Sequence, residues 1–162
     1  MDIYIEWQKP VQVTRSKKII LDEKKLPSVI KDKDGVYFFS RKHGKTYKPF
    51  YIGETFDIKR RLREHLSSRK LADVLRGIDT DDFGIKQGER YFHYGYIKLK
   101  SSQDKKKYLG IVQRYLIQEA MAQNLPLLNT QLTKRLTHTL KFEGDKIGKA
   151  IYGESAEVPA RR

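Results

Sequence analysis

Cysteine is absent from this sequence of 162 residues, which removes a disulfide framework, a thiolate metal site and a cysteine nucleophile together. No apolar run approaches the roughly 20 residues that a membrane-spanning helix needs. The opening MDIYIEWQKP also lacks a basic start followed by an apolar stretch and a small-residue cleavage site. A soluble, cytoplasmic protein with no membrane partner is the expectation. Carboxylates are scarce relative to cations: Lys+Arg 34 stand against Asp+Glu 20, a net charge of +14. The excess is spread over both halves of the chain, so it belongs to the whole body and not to a tail. A field of that sign concentrates polyanions, and nucleic acid is the commonest of them. Simple solubility explains the same charge, so it names no chemistry by itself.

The length allows one domain with a real core, plus trimmings. Residues 1–32 read as an N-terminal hairpin, in which Ile3, Ile5 and Trp7 alternate with polar neighbours and Val11 and Val13 do so again, followed by a lysine-rich connector. Residues 33–130 carry the strongest patterning. GVYFFS at 35–40 and PFYIG at 49–53 predict two antiparallel strands across the polar loop RKHGKTYK. Alternation then sets Tyr37 with Phe39 on one face, and Tyr51 with Gly53 opposite Phe50 and Ile52. The two tyrosines can face the same side. RYFHYGYIKL at 90–99 predicts a third strand. Residues 131–162 read as a C-terminal extension with a short helix or extended segment and a flexible tail.

Two helices carry the anomalies. Asp57 is a candidate N-cap, and Ile58, Arg61, Leu62 and His65 follow at the spacing that shares one helical face. Two ionisable groups thus lie where apolar ones are expected, while Lys59, Arg60, Arg63 and Glu64 occupy the outward side. A second helix over about 103–124 has Tyr108, Ile111, Val112 and Tyr115 as its predicted inward stripe, with Glu119 on the extension of that stripe. Each residue alone has an ordinary explanation: a tyrosine with a satisfied hydroxyl, a histidine with a local hydrogen bond, or Glu119 paired with Arg61. Together they offer what phosphodiester hydrolysis requires. A carboxylate can hold a hard divalent cation, an arginine fork can clamp a phosphate, and a phenol can take a proton from water if positive charge or a second base assists it.

Gly35-Val36-Tyr37, Tyr51-Ile52-Gly53, Arg61, His65, Glu119 and Asn129, in that order and spacing, resemble the GIY-YIG nucleases. The resemblance covers roughly 33–130. It implies an α/β sandwich, in the α+β sense, with a central three-stranded antiparallel sheet flanked by helices. It also implies Mg²⁺-dependent cleavage of DNA by direct attack of water, with Mn²⁺ able to replace Mg²⁺. By motif match, Tyr37 and Tyr51 would orient and deprotonate the water, Arg61 would bind the scissile phosphate, Glu119 would hold the metal, and Asn129 would support the site. His65 would share the tyrosine proton or fix its hydroxyl, and which tyrosine is the base stays open. Gly53 would let substrate and backbone approach closely, and Lys59, Arg60 and Arg63 would either grip phosphates or form an ordinary solvated face. Glu54 departs from the common pattern and should point away from the tyrosines, because a nearby carboxylate would raise their pKa. Lys45 and Lys48 are candidate compensating charges.

The compact chain resembles the small restriction endonucleases of that family, which embed recognition in loops and pair as homodimers to cut double-stranded DNA. A phage or repair nuclease acting on branched or single-stranded DNA fits nearly as well. A non-catalytic nucleic-acid-binding module, or an RNA-directed protein using the aromatic strand YFHYGY to stack bases, are the readings from other classes.

Overall fold

The computed structural model describes residues 2–78, 80, 83–128, 137–141 and 155–159. Chain contacts divide it into two units, Met1–Asn129 and Thr130–Arg162. Asn129, and most of the C-terminal extension, lie outside the described residues.

The first unit is built on three long antiparallel strands. β5 (Gly35–His43) lies between β6 (Thr46–Thr55) and β7 (Arg90–Lys98), pairing Tyr37 with Gly53 on one side and with Tyr94 on the other. Aromatic and β-branched residues in alternation favour such a pleated surface. The strands run further into RKHGKTYK than the sequence pattern indicates, leaving only a tight turn at Gly44, whose φ is 59°. The remaining N-terminal strands are short: β1 (Tyr4–Trp7), β2 (Val11–Gln12), β3 (Thr14–Arg15) and β4 (Lys18–Ile19).

The expected hairpin between the first two strands does not form. β1 and β2 both pair with β7, at Trp7↔Gly95 and Val11↔Phe92, as one edge strand interrupted around Pro10. Proline supplies no ladder N–H, so the strand breaks there without reversing. β3 and β4 make the small hairpin instead. Leu26 and Ile30 from the lysine-rich connector are buried in the core.

Among the described residues, three helices complete the unit: α1 (Ile58–Ser67), α2 (Arg69–Arg76) and α3 (Lys105–Ala122). Asp57 caps α1 by accepting from the Arg60 N–H at 2.9 Å. α2 has no counterpart in the sequence reading, although its signals are ordinary: Leu71, Ala72, Val74 and Leu75 are buried, and Gly77 ends it at φ 79°. Among the described residues no helix is long and apolar enough to cross a membrane.

One face of the sheet packs Tyr37, Phe39, Phe92 and Tyr94 against Ile58, Leu62 and Leu66 of α1 and Leu71, Val74 and Leu75 of α2. A bulge alters the predicted alternation: Phe39 pairs with Tyr51 and Ser40 with Pro49, which leaves Phe50 as the extra residue. Phe50 therefore joins the core cluster beside Phe39, and does not share the side of Ile52.

α3 runs back along β6, with Lys106 near Glu54 and the Gln113 amide donating to the Ile52 carbonyl at 3.3 Å. Its buried residues are Leu109, Ile117 and Ala120. The predicted inward stripe is out of phase, since Ile111 and Tyr115 are 42% and 58% exposed. After α3 the chain turns round the edge of β6, where the Leu128 N–H meets the Phe50 carbonyl at 2.8 Å. In the second unit, β8 (Thr137–Lys141) and β9 (Ser155–Pro159) pair antiparallel, so the stretch expected as a flexible tail contains a strand.

Candidate active site

The predicted side chains Tyr37, Tyr51, Gly53, Arg61 and His65 come together where α1 crosses the β5–β6 pair. Register does the first part of the work. Tyr37 sits opposite Gly53, and a β-carbon at position 53 would collide with the Tyr37 hydroxyl and ring. The missing side chain is the space in which that phenol lies. Tyr51 stacks on Tyr37 with ring centroids 6.4 Å apart.

The helix supplies the rest, because Arg61 and His65 are four residues apart and both reach the same hydroxyl. The Tyr37 hydroxyl lies 2.7 Å from His65 Nε2 and accepts from Arg61 Nε at 3.3 Å. Arg61 also donates to Glu64 Oε2 at 2.8 Å. The ordinary reading in which Arg61 pairs with Glu119 is thereby replaced by a local pair with Glu64.

Burial sets the resting charges. Tyr37 is 1% exposed. Desolvation pushes its phenol well above the usual tyrosine value, and the neighbouring Tyr51 adds to this while Arg61 opposes it. His65 is pushed down to about 4, first by burial and then by the charge of Arg61. At neutral pH the phenol is therefore protonated and the imidazole neutral. Burial opposes the charge of Arg61, but its hydrogen bonds to Glu64 and Tyr37 outweigh that, and the guanidinium stays ionised. A neutral base and a fixed cation thus share one hydroxyl.

Outside this cluster is a groove of about 280 Å³ lined by Tyr51, Arg61, Glu64, His65, Ser68, Lys70, Leu71 and Leu128. Tyr51 is the tyrosine that borders it, and Tyr37 lies beneath. Lys70 is a groove cation that the sequence reading missed, because it belongs to the unassigned α2. Its signal was the Ser68-Arg69-Lys70 start of an amphipathic helix.

Other expected residues are placed differently. Arg60 and Arg63 are exposed and Lys59 is half-buried, but Arg63 donates to the Glu23 carbonyl at 3.0 Å, and Arg60 lies 3.8 Å from Glu64. Glu54 pairs with Val36 in the strand register, on the alternate side from Gly53 and beside Lys106. Burial raises its pKa, yet it does not contribute to the shift of Tyr37. Lys45 and Lys48 are exposed on the β5–β6 hairpin.

Glu119 is exposed on α3 and makes no side-chain hydrogen bond or ion pair with a described residue. It does not lie on an inward stripe, contrary to the sequence reading. Among the described residues, no three His, Asp or Glu side chains gather as a metal cage. A single exposed carboxylate, without a partner among the described residues, nevertheless fits Mg²⁺, which keeps most of its waters and takes one or two carboxylates plus substrate phosphate.

Residues 33–109 match the family model for the GIY-YIG catalytic domain. The match takes in Tyr37, Tyr51, Gly53, Arg61 and His65 and ends ahead of Glu119 and Asn129. No curated protein and no solved structure matches the chain.

Proposed function

Residues 33–109 belong to the GIY-YIG nuclease superfamily, whose members are DNA endonucleases that use divalent metal ions, and from that premise we propose that this chain hydrolyses DNA phosphodiester bonds with Mg²⁺ by direct attack of water. The observation that carries the reading is the hydroxyl of Tyr37 shared between Arg61 and His65 beside an open groove of about 280 Å³.

Tyr37 takes the proton from the attacking water as its own proton passes to Nε2 of His65. The relay avoids a free tyrosinate, which burial makes costly, and uses an imidazole that is neutral at working pH. Arg61 exchanges its bond to Glu64 for the scissile phosphate and neutralises charge that grows in the transition state. Tyr51 orients the water from the groove side, and Lys70, Lys59, Arg60 and Arg63 add positive field along the strand. Glu119 would hold the metal, which would supply Lewis-acid stabilisation of the charge that develops on the phosphate.

In the restriction-type reading, two copies cut both strands of a duplex. A structure-directed nuclease is the second reading, favoured by the aromatic face described below. Supercoiled plasmid incubated with purified protein and Mg²⁺, or with EDTA, tests the proposal. Discrete Mg²⁺-dependent bands support the restriction type, and slow nicking supports the structure-directed type. Retained binding with no cleavage under any divalent metal would leave only a nucleic-acid-binding module. Glu119→Ala should abolish cleavage and spare binding; unchanged cleavage would remove the metal from Glu119.

A further inference from the structure

The sheet has a second aromatic surface, on the side away from Tyr37. Trp7 of β1, Phe38 of β5, His93 and Tyr91 of β7 and Tyr47 of β6 form a continuous stripe of rings. Trp7 meets Phe38 edge-on at 5.6 Å, Phe38 stacks on His93 at 4.2 Å, and Tyr47 contacts His93 at 4.7 Å and Tyr91 at 5.2 Å. The stripe is open at both ends, with Trp7 44% and Tyr47 38% exposed. His93 is the buried footing between them, held by Ser40 at 2.8 Å.

An exposed stripe of this kind needs an occupant, and the charge around it selects one. The Lys42 ammonium lies 5.9 Å above the Tyr47 ring and 5.6 Å above that of Tyr91. Lys45 stands at the tip of the same hairpin, while Arg41 and Lys48 pair with each other and alternate to the opposite side; among residues 41–48 no carboxylate offsets these cations. An apolar protein partner or a second copy would have to bury those cations, in a chain already at +14. A single strand of nucleic acid instead offers flat apolar bases to the rings and phosphates to the lysines.

We propose that the Trp7–Phe38–His93–Tyr47–Tyr91 stripe stacks unpaired bases of the DNA substrate, with Lys42 and Lys45 gripping the strand's phosphates. The hairpin that carries Lys42 continues along β6 to Tyr51, which borders the groove on the other face. This rests on the reading of the chain as a DNA nuclease and narrows its substrate to duplexes bearing an unpaired segment.

Trp7 is the only tryptophan in the chain, so its fluorescence reports the surface directly. With EDTA present, a short oligothymidylate should quench Trp7 emission, and a blunt duplex of the same length should quench it far less. Tyr47→Ala and Lys42→Ala should each weaken single-strand binding about tenfold, with duplex binding weakened much less. Lys42→Ala alters an exposed side chain, so it remains informative if Tyr47→Ala misfolds. In plasmid and forked substrates with Mg²⁺, the same variants should lower the preference for the fork.

Trp7 emission that stays constant while oligothymidylate binds would overturn the proposal. So would equal weakening of single-strand and duplex binding by both variants, or emission that changes only with protein concentration, which would assign the stripe to self-association. Quenching without any cleavage would keep the stripe and remove the nuclease reading, and cleavage without quenching would do the reverse.

Discussion

The two faces of the central sheet each hold a buried histidine bonded to a hydroxyl. His65 meets Tyr37 at 2.7 Å on one face, and His93 meets Ser40 at 2.8 Å on the other. Burial pushes both imidazoles down to about 4. By distance and resting charge the pairs are equivalent, yet only one has a cation beside its hydroxyl. The difference lies in the third group: Arg61 donates to the Tyr37 hydroxyl at 3.3 Å, whereas His93 is stacked on Phe38 and closed by Tyr47. A cation beside the hydroxyl and a groove over it turn a structural pair into a candidate proton relay. Without them the same pair serves packing.

Removing the cation should therefore have the largest effect. Arg61→Ala is expected to lower single-turnover cleavage by about a thousandfold, the scale of losing one preorganised donor to transition-state charge. Arg61→Lys should recover little, because an ammonium lacks the planar fork that can hold a phosphate and a phenol together. Activity above a tenth of wild type in the alanine variant would return Arg61 to a purely structural pairing with Glu64.

Exchanging the histidines breaks the comparison more directly. His65→Ala should cost roughly a hundredfold in rate, the usual worth of a general base. His93→Ala should instead appear in stability, at about 1–3 kcal/mol for lost packing and an orphaned Ser40 hydroxyl, with an effect on duplex cleavage at least tenfold smaller. Thermal melts and rates measured on both variants decide it. Similar rate losses would mean that the two pairs are not functionally distinct.

Much of the grouping at the candidate site was legible in the sequence, for a local reason. The positions of Tyr37, Tyr51 and Gly53 follow from a period of two, and those of Arg61 and His65 from one helical turn, so short-range geometry brought them together. The misses have longer-range causes. Phe50 entered the core through a bulge that no periodicity records. α3 carries apolar residues on two sides, and only its packing along β6 makes Leu109, Ile117 and Ala120 the buried set and leaves Ile111 and Tyr115 in solvent. Glu119 moved with that phase. β1 and β2 alternate as hairpin strands do, and it is the free edge of β7 that captures both.

Gly53 offers a subtler break, because it touches the site without contributing a group. Gly53→Ala would push a methyl into the Tyr37 hydroxyl, forcing the phenol away from Arg61 and His65. Displacement on the order of 1 Å should cost up to about a hundredfold in rate. Cleavage at the wild-type rate would show that the phenol can shift without consequence, and would argue against Tyr37 as the proton acceptor.

Acid titration should separate the pairs by stability alone, with the smallest effect. Each histidine has a folded pKa of about 4, below the usual 6.5, so the unfolded chain binds protons first as pH falls. Stability is then full above 6.5 and declines as pH falls toward 4, by at most about 3 kcal/mol for each histidine. His65→Leu and His93→Leu should each remove their own share of that decline in urea melts at pH 7 and pH 5. The acid limb of cleavage should disappear with His65 alone, since protonating it blocks the acceptor for the Tyr37 proton. If replacing His93 shifts that limb equally, the imidazole on the far face is coupled to the reaction, and the division of labour between the faces fails.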